Sequence, residues 1–434
     1  NTSSQVLYLG FYFWGDRMNN IYKINSEKFK SIYFSINFTM PVNKRQISEN
    51  ALLSAVFGKS NKKFKTQKEI QMYLYSLYGA NFDIGIEKFG DLYNIEFRGE
   101  CINKKYLPNN TDVVNEVLEF LYDAIYNPNV LNGAFDEEVV EREKDFILNK
   151  IREVKDDKLR YGIRKMEELM CKDEPFSTYV YGDEEDIYKI TSSDLYKRYN
   201  EVISNSCITF IISGNLLGYE DIEEKVNNIF NNKLVSKLNY KDLIYNQKLN
   251  HNQEVVEESQ QTTQSVLSYG LRINNSNSDD FYKLSVYNAL LGGTPSSKLF
   301  QNFREKESLA YTVRSRYYRF KDIIIIYAGI QKENYEKAKL VLENEINKIK
   351  DGEISDEEFE ASKKSIISDL KEWNDSKIAL SKMFISNLFS LKNDSLTLEQ
   401  MVDKFEKVTK QDIIDIAGKI TIEKIYFLGG ENNA

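Results

Sequence analysis

The chain has 434 residues, 41% of them hydrophobic and 29% charged, with a formal net charge of −8. That is ordinary composition for a folded globular protein of two or three domains. Excess acid disfavours nucleic acid as a partner, which needs clustered Lys and Arg, and no apolar run approaches the roughly 18 residues that cross a bilayer, so no membrane span is expected.

The opening NTSSQVLYLG has neither the basic region nor the apolar core of a secretory signal, so none is expected there. YFSINFTMPV alternates like a half-buried strand, and a helix is predicted over Ile47–Phe57. A second helix is predicted from Thr66, where TQKE forms a capping box with Glu69. NFDIGIEKFG and LYNIEFRGEC alternate and read as a hairpin. A long amphipathic helix follows in DEEVVEREKDFILNKIREVKDDK, from Asp136. The acidic run GDEEDIYKITSSD lacks alternating loop ligands with a terminal Glu, so it reads as a solvated connection and not as a calcium loop. ITSSDLYKRY then predicts a helix, and CITFIISGN a strand.

Residues 236–260 are polar with little periodicity and read as a linker. The single histidine, His251, lies within it and reads as a solvated residue, because one imidazole cannot complete a two-histidine metal site. Beyond the linker, SVLSYGLRI predicts a strand and Tyr282–Leu291 a helix. GGTPSS lacks the GK[ST] ending of a phosphate-binding loop. FREKESLAYTVRSRYY reads as the last turn of a charged helix entering a strand, paired in a hairpin with DIIIIYAGI. Arg314, Arg316 and Arg319 read as the solvated rim of that strand. Cys101, Cys171 and Cys207 are odd in number and lack CxxC spacing, so they predict buried thiols in a reducing, cytoplasmic setting.

The chain repeats itself. DEEVVEREK from Asp136 matches DEEFEASKK from Asp356, an offset of 356 − 136 = 220. ITSSDLYKRY matches VTKQDIIDIA at an offset of 218, and each precedes a strand ending in glycine. Two copies of one α+β domain are therefore expected, spanning 1–235 and 261–434.

Two stretches carry a family resemblance. LLGGTPSSKLFQNFREKESLAYTVRS is similar to the C-terminal signature of the insulinase/pitrilysin metallopeptidases, which include the mitochondrial processing peptidases. KITSSDLYKRYNEVISNSCITFIISGNL is similar to the ending of that family's first domain. The resemblance implies two homologous domains, each a mostly antiparallel sheet with helices packed on one face, and pairs of chains closing over a peptide. It also implies an inverted His-x-x-Glu-His zinc motif on an early helix. Here those positions hold Asn50, Leu53 and Ser54, and the third ligand, seven residues beyond Glu143, is Lys150. No metal is therefore expected on this chain, and zinc is expected in a partner. By the same resemblance Arg304 and Tyr311 correspond to the arginine and tyrosine that reach into a partner's zinc site. The implied role is a non-catalytic subunit of a heterodimeric zinc peptidase, inactive alone and acting on unfolded peptide. The alternative is a structural or peptide-binding homodimer that cleaves nothing.

Overall fold

The structure, a computed structural model, describes residues 13–16, 20–231, 233–234, 236, 238, 253–262, 264–391 and 396–430. Most of the expected linker, His251 included, lies outside the described residues.

The first half opens with strands β1 (Phe13–Asp16), β2 (Ile21–Asn25) and β3 (Ser31–Pro41), then helices α1 (Lys44–Phe57) and α2 (Gln67–Ser76). The predicted hairpin is β4 (Asn81–Phe89) with β5 (Leu92–Ile102). Helix α3 (Val114–Tyr126) and a short hairpin, β6 (Val130–Leu131) and β7 (Ala134–Phe135), lead to α4 (Glu137–Asp156) and α5 (Lys158–Met170). Helices α6 (Glu184–Lys189) and α7 (Ser192–Asn205), strand β8 (Cys207–Gly214) and helix α8 (Ile222–Phe230) complete it. The second half runs β9 (Glu254–Gln260), β10 (Ser265–Ile273) and α9 (Asp280–Asn288), followed by two π-helical segments, Ala289–Gly293 and Leu299–Lys306. Strands β11 (Ala310–Tyr318) and β12 (Ile323–Ile330) form the second hairpin. Helices α10 (Tyr335–Lys350), α11 (Asp356–Trp373), α12 (Lys377–Ser390), α13 (Leu398–Glu406) and α14 (Lys410–Gly418) precede β13 (Ile420–Gly430).

The local signals behind these elements are physical. Thr66 accepts from the Glu69 amide while the Glu69 carboxylate takes the Thr66 N–H, so the expected capping box fixes the start of α2. The same reciprocal device starts α7 at Thr191 and α14 at Thr409. The repeat is visible in topology. One sheet runs β1-β2-β8-β3-β5-β4, and the other, read from β9, runs β9-β13-β10-β12-β11. In each, the only parallel pairing among the described strands is β2 with β8 or β9 with β13.

Each half covers one sheet face with its own helices, giving two large cores. The opposite face is closed by a helix from the other half. α5 of the first half lies on β10, β12 and β13, with Met166 and Met170 packed among Val266, Ile325 and Leu428. The approach is close enough that a Cβ on Gly270 would meet the Met166 sulfur at 2.7 Å. Reciprocally α12 lies on β8 and β3, where Phe384 packs against Tyr22 with ring centroids 4.8 Å apart.

The two hairpin turns also meet. Phe89 and Phe320 pack with ring centroids 5.3 Å apart and planes tilted by 42°, and Gly90, at φ +62°, leaves room for the Phe320 backbone. Beside them Lys321, 1% exposed, binds Asp91 at 3.0 Å and also Glu174, holding three chain segments with one ammonium.

Candidate functional site

α1 presents Asn50, Leu53 and Ser54 to the interior, with no measurable exposure at Asn50 or Leu53. Asn50 Oδ1 accepts from Arg198 Nε at 2.8 Å. Arg198, on α7 and itself buried, also donates to Glu201 at 2.7 Å and contacts the Met40 sulfur at 3.4 Å. Ser54 Oγ donates to the Ala51 carbonyl of its own helix at 2.7 Å. On α4, the Lys150 ammonium binds Glu153 at 3.0 Å and lies 5.7 Å from the Phe146 ring centre. Glu143 is buried between Lys59 at 3.3 Å and Arg142 at 3.1 Å.

These groups do not fit zinc. An amide, an alkyl chain and a hydroxyl already committed to its own helix offer no imidazole nitrogen, and two nearby cations repel a dication. Among the described residues no group of three His, Cys, Asp or Glu side chains could hold a metal. Glu49, next to Asn50, has its carboxyl pushed up by burial, against the pull of Arg198 and Arg45. All three cysteines are buried, and none forms a disulfide among the described residues. Burial raises the Cys101 thiol well beyond its usual range and pushes Cys171 up to about 12, so neither is an activated nucleophile.

The second set of positions is presented outward. Phe303, fully buried, anchors the π-helical segment Leu299–Lys306 so that Arg304 stands on its open side. Such segments recur at functional sites. The Arg304 guanidinium stacks 4.5 Å from the Phe300 ring centre and reaches Glu305 at 3.6 Å. The chain then turns through Ser308 at φ +52° and enters β11. There Ala310 pairs with Ile330 but Thr312 pairs with Gly329, so Tyr311 is the extra residue of a β-bulge. A bulge leaves its residue unpaired and re-aims its side chain, and Tyr311 is 80% exposed. Arg304 and Tyr311 flank one open cavity of about 350 Å³ that also contains Gln331 and Asn334. Arg314 and Arg316 are exposed, whereas Arg319 is half-buried and donates to Asn387 at 3.0 Å.

Sequence reasoning missed Arg198. Its signal was available only as an arginine on the otherwise apolar face of α7 formed by Leu195, Tyr199 and Val202.

Residues 189–366 match the family described as "Peptidase M16 inactive domain". A probable inactive metalloprotease of Bacillus subtilis (strain 168) is 29% identical over 95% of this chain and 96% of its own. Over residues 189–366 the chain is thus similar to the inactive domain of M16 peptidases. An uncharacterized zinc protease of Rickettsia bellii is 25% identical over 68% of this chain and 71% of its own. A conserved protein from Enterococcus faecalis V583 shares the architecture, with TM-score 0.84 and 25% identity over 95% of this chain and 97% of its own. The M16 inactive domain from Pseudomonas fluorescens superposes with TM-score 0.77 at 15% identity, over 98% and 99% of the two chains, which speaks for the fold alone. The two-sheet α+β architecture is thus that of M16 inactive-domain proteins.

Proposed function

We propose that this chain is the non-catalytic subunit of a heterodimeric zinc peptidase, lending Arg304 and Tyr311 to a partner's active site. The observation that carries the reading is the bulge at Tyr311. It spends a ladder position to hold a phenol in solvent beside the Arg304 guanidinium, on the same cavity. A guanidinium fork suits substrate carbonyls, and a phenol can donate to a developing oxyanion. The partner would carry the intact zinc ligands, and unfolded peptide would be the substrate. The first-half positions, closed by Arg198, leave this chain the role of a wall.

The test is co-purification with a zinc-bearing M16 chain, then assay on a quenched unfolded peptide. Arg304→Ala and Tyr311→Phe are each expected to lower turnover on the order of 10²-fold while the complex persists. Unchanged turnover in both variants would remove their assigned role. Self-association of this chain that excludes any zinc-bearing partner would favour a non-proteolytic homodimer instead.

A further inference from the structure

The two copies of the fold treat one equivalent position differently. The first copy reads Asn50-Ala51-Leu52-Leu53 on α1, and the second reads Asn288-Ala289-Leu290-Leu291 at the end of α9. In the first copy the Asn50 amide oxygen takes the Arg198 Nε–H at 2.8 Å, and the place is closed. The capping boxes of α7 and α14 start at Thr191 and Thr409, an offset of 409 − 191 = 218, so Arg198 corresponds to Ile416. Ile416 has no donor to give. Asn288 Oδ1 is accordingly buried with no hydrogen-bond partner among the described residues, which leaves its desolvation uncompensated.

Asn288 opens into a cleft of about 730 Å³, the largest of the cavities described and well within the range of small-molecule sites. Its floor is apolar and adaptable, with Met383, Met401 and Phe405. Its rim carries Arg316 and Lys382, both exposed, and neither makes an ion pair among the described residues. Arg316 stacks instead 4.9 Å from the Tyr318 ring centre. Two carboxylates, Asp369 and Glu87, share the rim, and Glu87 accepts from Asn94 at 3.3 Å and feels the Lys382 charge. Burial pushes both carboxyls above their ordinary range. An orphaned acceptor beside two carboxylates and two exposed cations, over an apolar floor, suits one compact molecule bearing both signs of charge and an apolar body.

We propose that this cleft binds a free amino acid with a large apolar side chain. Its ammonium donates to Asn288 Oδ1 near Asp369, its carboxylate lies between Arg316 and Lys382, and its side chain rests on Met383 and Phe405. The proposal stands apart from any partner subunit, so it is tested on the isolated full chain. The chain has two tryptophans, Trp14 and Trp373, and Trp373 lines the cleft. In a Trp14→Phe background, Trp373 emission is followed while L-phenylalanine, N-acetyl-L-phenylalanine or L-phenylalaninamide is added. L-phenylalanine is expected to give a saturable change, with each capped form at least about tenfold weaker, because each removes one charge-assisted contact. Arg316→Gln should weaken L-phenylalanine about tenfold, while Tyr311→Phe leaves it unchanged. Ile416→Arg, supplying the donor that Asn50 already has, should abolish binding. Arg316 is on the surface, so its variant decides the matter even where Ile416→Arg fails to fold. No saturable change with L-phenylalanine, equal affinity for the capped forms, or an unaltered Arg316→Gln would overturn the proposal.

Discussion

Lys321→Met tests the junction between the halves. The native ammonium is 1% exposed and neutralises Glu174, at 7% side-chain exposure, and Asp91, at 18%. Methionine fills most of the volume, so the loss is chiefly electrostatic: two carboxylates remain in a site that water scarcely reaches. Removing one partner of a buried pair typically costs about 3–5 kcal/mol. We expect the low end, since Asp91 retains some solvent. Burial lowers the Lys321 pKa, but the Glu174 and Asp91 contacts outweigh it and hold it above the ordinary lysine value. Its contribution is therefore full below about pH 10.4 and is lost as pH rises through the higher folded value. In the variant that titration is absent, so the deficit relative to wild type should be full at pH 7 and smaller at about pH 11. Urea unfolding monitored at both pH values provides the assay. A deficit below about 1 kcal/mol, or one identical at the two pH values, would refute the clamp, since a simple packing defect does not titrate.

Gly214→Ala should destabilise by about 2 kcal/mol or more in the same assay, because its Cβ would stand 2.3 Å from the Ser31 carbonyl oxygen at φ +133°. Thr66→Ala should cost about 1 kcal/mol through loss of the α2 cap, with Thr66→Ser nearly silent. Lys88 donates to the Phe176 and Thr178 carbonyls, and burial lowers its pKa to about 7. The unfolded chain then binds more protons between pH 7 and about pH 10.4, so stability should rise with pH there, and Lys88→Met should flatten that rise.

Much of the fold was legible in the sequence, because helices and strands announce themselves by period and caps. The repeat was visible at Asp136 and Asp356 and again at Thr191 and Thr409, where short-range signals coincide. The placement of α5 and α12 was not legible. Their periodicity says only that one side is buried, and whether against the near sheet or the far one depends on contacts roughly a hundred residues or more away. The site was legible in part. The Arg304 and Tyr311 positions came from a motif, but the bulge that exposes Tyr311 is a register shift against Gly329, invisible until β12 is in place. Arg198 escaped for the same reason, since its partner Asn50 lies 148 residues away.

The exchange of helices between the sheets bears on biosynthesis. The first sheet has all its strands once Gly214 is made, yet its outer face waits for Lys377–Ser390. With 390 − 214 = 176 residues still to be added at roughly 5–20 per second, a nascent chain would carry that uncovered face for roughly 9–35 s. A holdase chaperone would find its natural target in that interval, and a gene split at the polar connector would yield two products that each lack a lid the other owns.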